Sequence, residues 1–147
     1  MAVDDTYTKL LLHFNKQKWT VCSLDTAQFK FGSSSFGSLT DGGAWTGSFP
    51  EVIIGTGSFT IEMWFRLNSV TGEHYLWDNR ETTSAATGFG LLANGTSLEV
   101  RSAGTTKIAG STTLQVDTWY HVAVCGNGSA VKMWLNGSQE GSTWTVS

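Results

Sequence analysis

The sequence predicts an all-β fold in which two antiparallel sheets pack face to face as a jelly-roll sandwich. The first observation is the strict alternation of Phe59–Leu67, where every second residue is apolar. The second is the stretch Trp119–Gly137, which is typical of two strands joined by a tight turn. The third is the composition, since 17 glycines, one proline and 14% charged residues indicate many short strands. We expect no helix longer than about two turns.

The Trp119–Gly137 hairpin has an apolar face and a mixed face, because successive side chains of a strand point to opposite sides. The apolar face, which we predict to lie in the core, consists of Tyr120, Val122, Val124, Val131, Met133 and Leu135. Asn-Gly pairs, which tolerate the positive φ of hairpin turns, occur at Asn94-Gly95, Asn127-Gly128 and Asn136-Gly137.

The other predicted strands are short and separated by Gly-, Ser- and Asn-rich turns. They are Thr8–Phe14, Phe29–Gly32, Phe36–Asp41, Val52–Ile54, His74–Trp77, Phe89–Ala93, Leu98–Arg101 and Thr113–Val116, with one short strand around Trp144. A chain of 147 residues suits a single domain, which we place at residues 1–147.

Composition also excludes several classes of partner. The net charge is −3 and no basic run occurs, so nucleic acid is not expected as a partner. No apolar run approaches the roughly 20 residues of a membrane span, and the N-terminus lacks the basic segment of a secretory signal. Cys22 and Cys125 match no metal-site spacing; a disulfide between them is one alternative, and two free thiols are favoured.

Three stretches together resemble the laminin-G-like (LamG) branch of the concanavalin A-like lectins: Phe29–Trp45, Gly57–Leu67 and Asp117–Gly137. The opening TKLLLHFN is similar to the first strand of the versions in tailed-phage structural proteins. The resemblance implies two packed antiparallel sheets and a binding role toward glycans or proteins. Such domains continue past the Asn-Gly hairpin with further strands, so the resemblance also implies a sandwich lacking its closing strands.

Catalysis is not expected. Family members that hydrolyse glycans carry closely spaced Glu and Asp residues on one strand, whereas Glu62 has no acidic neighbour two or four residues away. A lone carboxylate cannot supply both the acid and the nucleophile of glycoside hydrolysis. The three histidines are dispersed, and no serine or cysteine lies in a motif that would activate it as a nucleophile.

A binding surface is predicted on the mixed face of the hairpin, together with the same face of Phe59–Leu67. Its residues are Glu62, Trp64, Arg66, Trp119, His121, Lys132 and Trp134. Aromatic planes beside charged hydrogen-bonding groups suit a sugar or a protein; the alternative is that a strand or a neighbouring subunit covers them. Asp78 and Glu81 are weaker candidates for Ca²⁺, and otherwise no cofactor is expected.

We therefore expect a non-enzymatic binding or assembly module. The resemblance to phage proteins implies that it belongs to a bacteriophage virion, as a capsid decoration or tail-fibre component. Its partners would be other virion proteins or further copies of itself, with host glycans as a further ligand. An open sheet edge also favours a homo-oligomer or a larger assembly. The alternative is a carbohydrate-binding lectin module of a larger secreted protein, acting outside the cell. A relative of glycoside hydrolases ranks third.

Overall fold

The computed structural model describes residues 22–32, 35–38, 57–80 and 88–146, and these contain strands, turns and loops but no helix. Contacts divide the chain into two units, Met1–Trp45 and Thr46–Ser147. In the first unit, β1 (Cys22–Asp25) pairs antiparallel with β2 (Ser35–Ser38). A single domain over residues 1–147 stays a prediction.

The described residues of the second unit form eight strands in two antiparallel sheets. The strands are β3 (Ser58–Arg66), β4 (Glu73–Asp78), β5 (Gly90–Asn94), β6 (Ser97–Ser102), β7 (Thr105–Ala109), β8 (Trp119–Asn127), β9 (Ala130–Leu135) and β10 (Ser138–Thr145). Sheet 1 has the order β10-β9-β8-β3, and sheet 2 has the order β4-β5-β6-β7. The predicted all-β sandwich is therefore confirmed.

The core is formed by the apolar faces that the alternation predicts. Sheet 1 contributes Phe65, Tyr120, Val122, Val124, Val131, Met133 and Leu135, and sheet 2 contributes Leu91, Ala93, Leu98, Val100 and Ile108. Phe65 and Tyr120 lie opposite each other in the β3–β8 register, with their rings stacked at 5.6 Å. Burial of these side chains is the main stabilising contribution, at roughly 1.5–3 kcal/mol for each large apolar residue.

The three Asn-Gly pairs lie at strand connections, as predicted. Asn136 and Gly137 both have positive φ, 49° and 84°, which is the conformation of a tight hairpin turn between β9 and β10. At the β8–β9 connection the side-chain oxygen of Asn127 accepts hydrogen bonds from the backbone N–H groups of Ser129 and Ala130. This side chain therefore fixes the turn that precedes β9.

The segment after Gly137 forms a longer strand than predicted, and it links the two sheets. β10 pairs with β9, while the buried Glu140 carboxylate accepts hydrogen bonds from Ser111 and Thr112, which follow β7. Next to it, Gly141 has φ +63° and lies directly against the backbone of Ala109. A bulge between Glu140 and Trp144 makes this approach possible.

Four of the predicted strands are absent from the structure or lie outside the described residues. Phe29–Gly32 is wrong as a strand, since it belongs to the β1–β2 connection, where Phe31 is 69% exposed and Gly32 has positive φ. Thr113–Val116 is also wrong, because Leu114 alone enters the core and its N–H bonds to the Thr96 carbonyl. Thr8–Phe14 and Val52–Ile54 lie outside the described residues.

Two strands were not predicted. β1 contains only one strongly apolar residue, Leu24, so its sequence shows no alternation of apolar and polar residues that would predict a strand. β7 lies at the edge of sheet 2 and buries only Ile108. Edge strands with one buried residue carry too little periodicity to be distinguished from a turn.

Candidate binding site

The seven residues of the predicted binding surface lie together on the outer face of sheet 1, which we call the tryptophan face. They are Glu62, Trp64 and Arg66 on β3, Trp119 and His121 on β8, and Lys132 and Trp134 on β9. They share this face because their neighbours in sequence fill the core, and strand side chains alternate. The structure thus brings together every residue that sequence parity assigned to this face.

The strand register sets which of these residues are neighbours. Trp64 lies opposite His121, and their rings are 5.2 Å apart at an angle of 47°. Glu62 lies two residues before Trp64 on β3. Its carboxylate is 3.6 Å from the His121 imidazole, and the two groups form an ion pair when that ring is protonated. An indole, an imidazole and a carboxylate therefore form one contiguous patch on β3 and β8, at one side of sheet 1.

This patch is open to solvent. Trp64 is 39% exposed, and the side chain of Glu62 is 66% exposed. Trp119 and Trp134 are half-buried, so part of each indole remains accessible. Exposed apolar surface of this kind marks interaction sites more often than it is left without a partner.

One end of the face is fixed by an ion pair. Arg66 lies opposite Trp119 in the β3–β8 register and bonds Asp117 at 2.8 Å. Asp117 has a positive φ of 59°, and its N–H bonds to the Leu67 carbonyl, which holds the carboxylate close to the Arg66 guanidinium. This pairing neutralises the positive charge at the Arg66 end of the face.

At the other end lies a cleft of about 210 Å³, which was not predicted from the sequence. Its lining consists of Cys125, Gly126, Asn127, Ala130, Lys132 and Trp134. Cys125 is a free thiol, and it accepts a hydrogen bond from Thr60 Oγ1 at 3.4 Å. The cleft escaped prediction because the β8–β9 turn forms one of its walls, and parity alone does not place a turn.

Sheet 2 carries a polar network on its outer face that sequence reasoning missed. The buried Glu99 carboxylate accepts hydrogen bonds from Asn94, Arg101 and Thr106 at 2.8–3.1 Å. Arg101 also pairs with Glu73 on β4. Burial alone raises the pKa of Glu99, but the hydrogen bonds from Asn94, Arg101 and Thr106 outweigh it and hold that pKa below its ordinary value.

The Asp78 carboxylate is paired with Arg80, two residues later in the sequence. Both of its oxygens accept hydrogen bonds from Arg80, whose side chain is 1% exposed and lies over the Tyr75 ring at 5.3 Å. The hydrogen bond with Asp78 raises the pKa of Arg80 above its ordinary value. Glu81 lies outside the described residues, and within them no group of three or more His, Cys, Asp or Glu could hold a metal. The expectations on cofactors stay predictions.

The two four-stranded sheets, their jelly-roll packing and the polar-aromatic outer face define a concanavalin A-like β-sandwich. Residues 40–147 match the Laminin_G_3 family of the concanavalin A-like lectin/glucanases superfamily. Because this match covers more than half of the chain, the protein belongs to that family. A fold of this superfamily fits a carbohydrate-binding module.

Among solved structures, the chain is similar to the alginate lyase AlgAT5 from polysaccharide lyase family 7, with 16% identity and a TM-score of 0.43. The match covers 60% of the present chain and 40% of the lyase, so the chain spans less than half of that protein. No curated protein matches the sequence. In the described part of the chain, no helix is long and apolar enough to cross a membrane.

Proposed function

We propose that the protein is a non-enzymatic binding module that recognises glycans through the tryptophan face, at the surface of a bacteriophage virion. The observation that carries the binding role is the exposed Trp64 indole beside His121 and Glu62 on the outer face of sheet 1. The apolar face of a sugar ring packs on an indole, and its hydroxyl groups bond to the surrounding charged groups.

The charges on both sheets support a role without catalysis. Glycoside hydrolysis needs one carboxyl group that keeps a proton near neutral pH and a second that is ionised. On sheet 2, the hydrogen bonds from Asn94, Arg101 and Thr106 hold the pKa of Glu99 below its ordinary value, so this carboxyl group does not keep a proton near neutral pH. We expect no release of reducing sugar from polysaccharides; release that disappears in Glu62→Gln would contradict this.

The virion setting is supported by the similarity of the N-terminal TKLLLHFN to tailed-phage structural proteins. In a capsid decoration or tail fibre, the domain would contact other virion proteins or further copies of itself while binding host glycans. The alternative setting is a lectin module within a larger secreted protein. Co-sedimentation of the protein with particles purified from a phage lysate tests the setting, and its consistent absence from particles would contradict the virion role.

The binding role is tested on a glycan array with the wild-type protein, Trp64→Ala and the control Tyr75→Ala. Trp64 and Tyr75 are both exposed aromatic residues, but Trp64 lies on the tryptophan face and Tyr75 lies on β4 of sheet 2. Loss of an aromatic anchor in a binding site costs at least about tenfold in affinity. We expect Trp64→Ala to weaken glycan binding by this factor and Tyr75→Ala to leave it unchanged. Equal binding by all three proteins, or no binding by the wild type, would refute the proposal.

A further inference from the structure

The cleft at the β8–β9 end of the tryptophan face combines an indole with a single charge. Trp134 and Lys132 are two residues apart on β9 and therefore point to the same side. Lys132 lies opposite Cys125 in the register, is exposed, and is the one charged residue among the described residues that line the cleft. It makes no ion pair with the described residues, so its ammonium group is available to an anion.

The turn provides a second donor. The side-chain oxygen of Asn127 already accepts hydrogen bonds from the N–H groups of Ser129 and Ala130, at 3.1 and 2.9 Å. Because these two bonds fix the oxygen inside the turn, the amide nitrogen points away from them. Asn127 lines the cleft together with Lys132, so the cleft has an amide nitrogen and an ammonium group among its hydrogen-bond donors.

The remaining wall leaves room for a ring. Ala130 has only a methyl side chain, and the half-buried Trp134 forms the apolar side of the cleft. The Glu62 carboxylate is held on the far side of Ala123 from Trp134, two strand spacings or about 10 Å away, and is directed to His121. No carboxylate among the described lining residues opposes a bound anion.

We infer that this cleft binds a carboxylate-bearing pyranose, such as a hexuronate or a sialic acid unit, within the glycan that the tryptophan face recognises. The sugar ring packs on Trp134, and its carboxylate accepts hydrogen bonds from Lys132 and Asn127. The inference rests on the proposed function and adds the chemical class of the ligand. The ring-sized volume fits one sugar unit, so the rest of the glycan would lie across Trp64 and His121.

The experiment is calorimetric titration with oligogalacturonate and with its methyl ester, in which each charged carboxylate is replaced by an uncharged ester. A hydrogen bond to a charged group corresponds to about a tenfold or larger change in affinity. We expect the wild type to bind the acid at least about tenfold more tightly than the ester, and Lys132→Gln to lose this difference while still binding the ester. The control is Lys107→Gln. Lys107 is on β7 in sheet 2, where its ammonium group lies over the Trp144 ring, and this variant should behave as the wild type.

Cys125 provides an independent readout, because its thiol lines the cleft. We expect saturating oligogalacturonate to slow the alkylation of Cys125 by N-ethylmaleimide in the wild type but not in Lys132→Gln. Mass spectrometry of the Cys125 peptide measures the rate of alkylation. Parallel titrations with 3′-sialyllactose and its methyl ester distinguish sialic acid from hexuronate as the carboxylate source.

The outcomes separate this inference from the proposed function. Equal binding of acids and esters that is lost in Trp64→Ala overturns the anionic ligand and leaves the glycan-binding role intact. Acid binding that survives in Lys132→Gln without protection of Cys125 also overturns the inference. No binding of any oligosaccharide by the wild type overturns both.

Discussion

Removal of the Glu140 carboxylate is expected to destabilise the sandwich, because this group joins the two sheets. The carboxylate is 4% exposed and accepts four hydrogen bonds, from the N–H and hydroxyl groups of Ser111 and Thr112, at 2.5–3.3 Å. A hydrogen bond to a charged group contributes about 1.5–3 kcal/mol. Since Ser111 and Thr112 are exposed, water replaces part of the loss, and we expect Glu140→Gln to lower the free energy of unfolding by about 2–4 kcal/mol.

The effect of Glu140→Gln should depend on pH. Burial alone raises the pKa of Glu140, but the hydrogen bonds from Thr112 and Ser111 outweigh it and lower that pKa below its ordinary value in the folded state. A carboxylate with a lowered folded pKa contributes its stability fully above the unfolded pKa of about 4.3 and loses it as the pH falls through the folded pKa. The difference between the wild type and Glu140→Gln should therefore be largest near pH 7 and shrink below about pH 4.

Urea unfolding followed by tryptophan fluorescence measures both effects. With a slope of about 2 kcal/mol per molar urea, the midpoint at pH 7 should fall by about 1–2 M in Glu140→Gln. Glu62→Gln, at an exposed carboxylate, is the control and should unfold as the wild type does. Equal midpoints for wild type and Glu140→Gln at pH 7, or a difference that persists unchanged at pH 3, would refute the reasoning.

Two further predictions concern stability. Gly141→Ala should destabilise the domain by about 1–3 kcal/mol more than Gly137→Ala, because both glycines have positive φ but only a methyl group at Gly141 meets neighbouring atoms, among them Ile108 Cγ2 at 2.8 Å; equal thermal midpoints for the two variants would contradict this. Met133→Ala should cost about 2–5 kcal/mol since this side chain is fully buried, whereas Trp64→Ala should leave the unfolding midpoint nearly unchanged. Cooperative unfolding of Trp64→Ala at a much lower temperature would show that this indole belongs to the core.

The parts of the fold that could be predicted are those with a local signal. Alternation in Phe59–Leu67 and in the Trp119–Gly137 hairpin sets which side chains are buried without reference to any partner strand. The same parity placed Trp64 and Trp134 on one outer face, where the structure has them. Each Asn-Gly pair identified its turn because positive φ is a property of the residues themselves.

What could not be predicted depends on register between distant strands. The bond between Glu73 and Arg101 requires β4 to pair with β5 and β5 with β6 in one particular alignment. Glu140 and Thr112 meet only because β10 lies beside the end of β7, across two sheets. The sequence carries no sign of either contact, since neither pair is close along the chain.

The strand order has a consequence for how the protein forms during synthesis. β4 to β7 follow one another along the chain and in sheet 2, so each can pair with its predecessor as soon as it emerges. β3 pairs with β8, and the nearest pair in that register joins Arg66 to Trp119. Among the described strands, β3 has no pairing partner in sheet 1 until residue 119 has been made, and the entropy of closing this long loop must be met before any β3–β8 contact forms. The backbone N–H and C=O groups of β3 that pair with β8 therefore wait longest for their partner during synthesis.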